Sequence, residues 1–345
     1  MNLSDLNKVA LAMVTPGKGI LAADESSGTI KKRFDAIKVE STEESRRDYR
    51  EMLFRSSEAM SKYISGVILY DETIWQTARD GTPLIKLVEA SGAIPGIKVD
   101  EGTQALPNCP GELVTVGLDK LAERLKKYYE RGARFAKWRA VIDIGRGGDR
   151  SIPSMTAIHV NAHALARYAA LCQAAQIVPI VEPEVLMDGD HDIDRCYEVT
   201  QLVLNNTFAE LRIQRVALEG MILKPNMAIA GKKSAKQASV EEVAEKTVRL
   251  LKACVPAAVP GIAFLSGGQS DEDATAHLNA MNRTAGLPWR LTFSYGRALQ
   301  AAPQKAWSGK QENVAAGQRA FIHRARMNAL ATRGEWETGL EKKAA

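Results

Sequence analysis

Short apolar runs recur along the chain, separated by polar or amphipathic stretches. Eight can be counted, at Gly19–Ala23, Ile64–Tyr70, Ile94–Val99, Arg134–Ile142, Ile177–Val185, Gly220–Leu223, Ile262–Leu265 and Arg290–Phe293. Their shortness suits strands buried on both faces. The stretches between them carry helix-start signals: Ser41 with Glu44, Ser239 with Glu242 and Ser270 with Asp273 each pair a hydroxyl with an acidic residue three positions on. From Val240 through Val243, Thr247 and Leu250 or Leu251 to Cys254, apolar positions return every three or four residues, as on a helix that lays one face on a sheet. Strand and helix thus alternate, and eight such units predict a closed (β/α)8 barrel, the TIM-barrel form of α/β architecture. The expected organisation is one domain over 1–345, with extra helices at the N-terminus and a C-terminal helical region and tail from about 299 to 345. A doubly wound sheet is the alternative, weakened because the early glycines form no G-x-G-x-x-G turn.

In such a barrel the active site lies where the strands end. The first run ends in Asp24, the third in Lys98, the fourth carries Lys137 and Arg139, the fifth Glu182 and Glu184, and the sixth stops at Lys224. Lys137 and Arg139 are two apart, as are Glu182 and Glu184, so strand alternation points each pair to one side. A lone lysine at the end of an apolar strand suggests carbonyl chemistry. An ordinary lysine has a pKa of about 10.4, so a nucleophilic amine needs burial or neighbouring cations to disfavour its proton. The seventh run ends Leu265-Ser266-Gly267-Gly268-Gln269-Ser270 and the eighth Ser294-Tyr295-Gly296-Arg297. Small residues let backbone N–H groups approach phosphate oxygens, a helix N-terminus adds positive potential, and arginine adds a forked charge.

Composition narrows the field modestly. The 345 residues are 45% hydrophobic and 25% charged, typical of a globular protein. A net charge of +5 is too mild to argue for nucleic acid and suits an anionic small substrate. Four well-separated cysteines, Cys109, Cys172, Cys196 and Cys254, offer no C-x-x-C and favour a reducing compartment over a disulfide framework. Val9 to Val14 is too short for a signal-peptide core, and no later stretch is long enough to span a bilayer, so neither membrane nor nucleic-acid partners are expected.

The segments GKGILAADES (17–26), GIKVD (96–100), FAKWR (135–139), PIVEPE (179–184), LKPNM (223–227), FLSGGQS (264–270) and LTFSYGRALQ (291–300) together closely resemble class I fructose-1,6-bisphosphate aldolases, the metal-independent Schiff-base enzymes of glycolysis and gluconeogenesis. The resemblance implies that Lys224 forms the Schiff base, that Glu182 is the acid/base for carbinolamine dehydration, and that Asp24 takes the C4 hydroxyl proton. It implies that Lys137 helps form the carbinolamine, with Glu184 as its close electrostatic partner. Ser266, Gly267, Ser294, Gly296 and Arg297 fall on the C1-phosphate side, Ser26, Thr29, Lys98 and Arg139 on the far-phosphate side, and Arg33 resembles a mobile arginine near the phosphates. It further implies a sugar bisphosphate substrate, no cofactor and no metal, and a homotetramer; the expected location is cytoplasmic, with removal of an organellar leader left open. Animal members end in a tyrosine that helps protonate the enamine, whereas the last tyrosine here is Tyr295. Either another group or water takes that step, or turnover is slower.

Two further patterns suggest metals and fail on detail. Asp188-Gly-Asp190-His-Asp192-Ile-Asp194 opens like a calcium loop, but Ile193 stands where glycine is needed and Val199 where a bidentate glutamate belongs. His159 and His163 share a helical spacing without the glutamate of a zinc protease, since Val160 stands there. The turn Gly145–Arg150 departs from the family pattern and reads as a solvated loop. Alternatives to the lyase are a transaldolase-like transferase using the same imine, and a non-catalytic barrel scaffold, which would not need the amine of Lys224.

Overall fold

The computed structural model describes residues 2–343; Met1, Ala344 and Ala345, the ends of the expected domain, lie outside the described residues. Eight parallel strands close into a barrel: β1 (Gly19–Ala23), β2 (Ile64–Leu69), β3 (Ile94–Lys98), β4 (Phe135–Ile142), β5 (Val178–Val185), β6 (Ile222–Leu223), β7 (Gly261–Phe264) and β8 (Arg290–Tyr295). Each pairs with its chain neighbours, and β8 closes on β1 through Ile20 opposite Ser294. All eight expected strands are present. Gly220 is the end of a 3-10 turn (Leu218–Gly220) rather than of β6. β8 runs two residues further than its apolar run, because Ser294 and Tyr295 continue the ladder against Ile20 and Leu21.

Alternation along each strand divides the interior. Outward positions such as Ala136, Trp138, Val181 and Leu223 join the large core beneath the helices. Inward positions are apolar low in the barrel: Ile20, Ala22, Ile68, Phe135, Val178, Ile180, Ile222 and Ala263 form one buried cluster. The helix Leu3–Met13 plugs this end, adding Leu6, Ala10, Met13 and the following Val14. One pleat higher the same faces become ionic, with Asp24, Lys137, Glu182 and Lys224. The large Phe135 ring fits because β2 and β3 present glycines: a Cβ on Gly96 would lie 2.2 Å from it, and one on Gly66 2.9 Å.

Helices cover the barrel, and Val240–Cys254 has the predicted bounds, with Ser239 accepting from the Glu242 amide. Ser270 likewise caps Asp271–Asn282. The first predicted cap is displaced by one residue: the helix Glu43–Phe54 starts after Thr42, whose hydroxyl and that of Ser45 form the reciprocal cap, while the carbonyl of Ser41 accepts from Arg46. The segment 145–150 is ordered as a short hairpin, Gly145–Gly147 against Arg150–Ile152, with Arg146 and Arg150 exposed. Beyond β8 the chain continues as Arg297–Trp307, Val314–Ala331 and a 3-10 turn over Thr338–Lys343. Among the described residues no helix is long and apolar enough to cross a membrane.

Candidate active site

A cavity of about 910 Å³ opens at the C-terminal ends of the strands. Asp24, Lys137, Glu182, Glu184 and Lys224 all line it, as do Ser26, Thr29, Arg33, Lys98, Arg139, Ser266, Gly267, Ser294, Gly296 and Arg297. Every candidate drawn from the sequence is therefore in one place.

The floor is a buried ion network. Lys224 and Lys137 are each 4% exposed and Glu182 3%. Glu182 bridges the two amines: its Oε1 lies 3.1 Å from Lys224 Nζ and its Oε2 3.5 Å from Lys137 Nζ. That Oε2 makes no hydrogen bond in the protein, so it can take one from a water or a substrate hydroxyl. Lys137 Nζ also stands 2.7 Å from Asp24 Oδ2 and 3.9 Å from Asp100 Oδ2. Burial works to raise the Asp24 carboxyl, but Lys137, then Lys224 and Lys98, outweigh it and hold the group well below the usual carboxylate range. Burial likewise opposes the charge on Lys137, and Asp24, Glu182 and Asp100 overcome it, so its pKa is raised and it stays an ammonium.

One expected pairing is corrected. Glu184 does not partner Lys137; it is ion-paired with the Arg139 Nε. Register explains this, because Glu184 sits opposite Val141 on β4, one pleat above Glu182, where only the longer arginine reaches it. Burial disfavours the Arg139 charge, yet Glu184 more than compensates, through its charge and then its hydrogen bond, and the pKa is raised. The sequence reading also missed Asp100, which holds Lys98 at 3.2 Å and receives the Arg139 amide at 3.4 Å. Its signal was available: it lies two residues beyond Lys98, on the same alternation. Glu25 was missed too. It is buried, holds Arg33 Nη1 at 2.5 Å, and accepts from Gln300 at 2.7 Å, a contact from a distant helix that no local pattern reveals.

Around this floor the rim is cationic and hydroxylic. Gly267 and Gly268 have φ of 51° and 84°, the left-handed region open to glycine at little cost, and form the turn before Asp271–Asn282. Met187 packs beneath them, its Cε 2.2 Å from where a Cβ on Gly267 would stand. Ser294 Oγ is buried without a partner beside this turn, and Gly296 opens the helix Arg297–Trp307. After β1, Ser26 caps the helix Ser27–Ala36 with its hydroxyl 3.1 Å from that of Thr29.

In the acidic run after β5, Asp188 pairs with Lys232 at 2.8 Å, Asp192 caps Ile193–Ile213, and Asp194 pairs with Lys246. His159 and His163 both turn Nδ1 toward Glu210 on the next helix, at 3.5 and 3.0 Å. Among the described residues no group of three or more histidine, cysteine or acidic side chains is arranged to hold a metal.

Comparison with known proteins agrees with this architecture. The family described as fructose-bisphosphate aldolase class-I matches residues 5–345. A protein of Xanthomonas campestris named probable fructose-bisphosphate aldolase class 1 is 57% identical over 338 residues, covering 98% of this chain and 100% of that one. Fructose-bisphosphate aldolase 1 of Toxoplasma gondii is 54% identical, covering 97% of this chain and 92% of its own. A solved structure of fructose-bisphosphate aldolase from Plasmodium falciparum, in complex with TRAP and a small-molecule inhibitor, superposes with a TM-score of 0.95 at 49% identity, covering 98% of this chain and 96% of that one. With the ends of β1, β4, β5 and β6 delivering two lysines and their carboxylates to one buried floor, this chain belongs to the class-I fructose-bisphosphate aldolase family.

Proposed function

We propose that this chain is a metal-independent carbon–carbon lyase that cleaves fructose 1,6-bisphosphate reversibly to dihydroxyacetone phosphate and glyceraldehyde 3-phosphate, serving glycolysis and gluconeogenesis. The observation that carries the reading is Lys224 buried at the head of β6, 3.1 Å from Glu182. Lys224 Nζ adds to the C2 carbonyl to give a carbinolamine. Glu182 protonates the departing hydroxyl, which leaves as water, and a protonated imine remains. The imine is an electron sink, so when Asp24 takes the C4 hydroxyl proton the C3–C4 pair flows toward nitrogen. Glyceraldehyde 3-phosphate departs and an enamine stays on Lys224. Protonation at C3 and hydrolysis of the imine release dihydroxyacetone phosphate.

In this reading Lys137 stays charged and stabilises oxygen anions of the carbinolamine and at C4, while Glu184 holds Arg139 in place. Ser266, Gly267, Ser294, Gly296 and Arg297 bind the C1 phosphate; Ser26, Thr29, Lys98 and Arg139 bind the other, with Arg33 between them. The neutral floor supports this division. Asp24, Asp100, Glu182 and Glu184 stand against Lys98, Lys137, Arg139 and Lys224, leaving Lys32, Arg33 and Arg297 against Glu25 and Asp188 at the rim for phosphate. One barrel domain carries the activity, and the proposal extends to a cytoplasmic homotetramer. Two relatives from Arabidopsis thaliana carry the word cytosolic in their names.

The test is covalent. Borohydride with dihydroxyacetone phosphate should fix a three-carbon adduct on Lys224, found by peptide mass; an adduct on another lysine, or none, refutes the assignment. Chelator should leave turnover unchanged, and light scattering should report four chains per particle.

A further inference from the structure

We propose that Lys232 is a second cation for the phosphate bound at the ends of β7 and β8, exchanging its partner Asp188 for that phosphate and so setting how tightly this end of the sugar is held. The inference rests on the reading of the cavity given above and deepens it.

Charge is shared unevenly round the cavity. Lys98 and Arg139 face the far phosphate, whereas Arg297 is the single formal charge among Ser266, Gly267, Ser294, Gly296 and Arg297. Arg33 comes near, its Nη2 3.5 Å from where Gly296 would carry a Cβ, but it is tied to Glu25. A phosphate monoester brings about −1.5 to −2 charges at neutral pH, more than one guanidinium neutralises.

Lys232 is placed to make up the difference. A Cβ on Gly268 would meet its Nζ at 2.7 Å and its Cε at 2.6 Å, so the ammonium lies against the glycine turn itself. Its backbone is fixed by three successive hydrogen bonds to the loop after β5: Gly231 N donates to His191 O, Lys232 N to Met187 O and Lys233 N to Gly189 O, at 2.8, 2.7 and 3.0 Å. The two loops touch so closely that a Cβ on Gly231 would come within 2.2 Å of Gly189 O. The backbone is anchored, while the side chain reaches partly into solvent. Its partner Asp188 lines the cavity, and the two side chains are 47% and 62% exposed. Such an open pair contributes little, so a dianion arriving at the adjacent turn can draw the ammonium away. Asp188 then keeps the lysine beside the empty turn without holding it there once substrate binds.

The experiment compares Lys232→Met, Lys232→Arg and Asp188→Asn with the native enzyme. It reads steady-state cleavage of fructose 1,6-bisphosphate and competitive inhibition by inorganic phosphate. Lys232→Met should raise KM and the phosphate inhibition constant about three- to tenfold, with kcat within about twofold, as expected for loss of one charge-assisted contact. Lys232→Arg should restore most of the loss, and Asp188→Asn should lower the phosphate inhibition constant by freeing the ammonium. The gap between Lys232→Met and native enzyme should narrow as ionic strength rises. Unchanged KM and inhibition in Lys232→Met overturns the inference, as does a parallel fall of kcat and melting temperature, which marks a purely structural role. Borohydride trapping on Lys224, run on the native enzyme, separates the two levels: no adduct there sinks the Schiff-base reading, whereas an adduct with an indifferent Lys232 sinks only this one.

Discussion

At the scale of single residues, Asp24 and Glu182 share the same pair of lysines yet are set up for different steps. Asp24 is kept ionised by Lys137, Lys224 and Lys98 against the pull of burial, so it is an acceptor at every working pH. Glu182 spans both amines, and its Oε2, 3.5 Å from Lys137, makes no hydrogen bond. Asp24→Asn should therefore abolish cleavage of fructose 1,6-bisphosphate while still forming the borohydride-trapped adduct with dihydroxyacetone phosphate. Glu182→Gln should slow adduct formation itself, by about 10²–10⁴-fold if it is the proton donor. Finding the two phenotypes reversed would exchange the assigned roles. Lys224 could be singled out from the sequence only in company: a lysine closing an apolar strand is by itself commonly a solvated cap, and the charged residues at the ends of the other runs, with the LKPNM segment, set it apart. The partner of Glu184 was not, because choosing between Lys137 and Arg139 depends on the β4–β5 register, which period-two alternation leaves open by one pleat.

At the scale of elements, the barrel is built as a vertical gradient, apolar below and ionic above, written onto alternate residues of the same strands. Phe135, Lys137 and Arg139 occupy one face of β4, and Val178, Ile180, Glu182 and Glu184 one face of β5. The lower layer keeps water from the underside of the ion network, with the helix Leu3–Met13 as its plug. Phe135 is fully buried there, so Phe135→Ala should cost about 3–5 kcal/mol, read from chemical denaturation. Partial collapse onto Gly66 and Gly96 is blocked because neither can extend a side chain into the hole. A milder change tests the helix after the glycine turn. Ser270→Ala removes the hydroxyl that accepts from the Asp273 amide at 3.0 Å and should cost about 1 kcal/mol. Eight strands and the cap at Ser270 could be read from apolar runs and hydroxyl–acid spacing. Gly220 could not, since a 3-10 turn and a short strand both look apolar at four residues. The N-terminal plug escaped for a related reason: periodicity identifies a helix but not which end of a barrel it closes.

At the scale of the whole molecule, the C-terminal helices tie the barrel mouth to the end of the chain. Arg324, 4% exposed on Val314–Ala331, donates to Asp271 O at 3.0 Å and to Thr275 Oγ1 at 2.7 Å, gripping the helix that follows the Gly267–Gly268 turn. Its charge is met by Glu341 at 2.6 Å, which also faces His323 Nε2 at 2.9 Å and accepts from Trp336 Nε1 at 3.0 Å. No local pattern announces this latch, because its members are up to about 70 residues apart and each looks like surface polarity on its own helix. Burial works to raise the Glu341 carboxyl, but hydrogen bonds and charge from Arg324, with help from His323 and Trp336, lower it below its ordinary value of 4.5. A carboxyl whose folded pKa is depressed contributes stability above its unfolded pKa and loses it as pH falls through the folded value. Acidification below about pH 4.5 should thus weaken the native protein through this latch, adding to the same-signed loss at Asp24. Glu341→Gln leaves the buried guanidinium without its counter-charge and should cost about 3–5 kcal/mol at pH 7, read as a lower denaturation midpoint. The difference from native should shrink as pH falls below 4.5 and through the lowered folded-state value, where Glu341 takes up its proton in the native protein as well. A variant whose deficit stays constant across that interval would show that the latch acts through shape and not through charge.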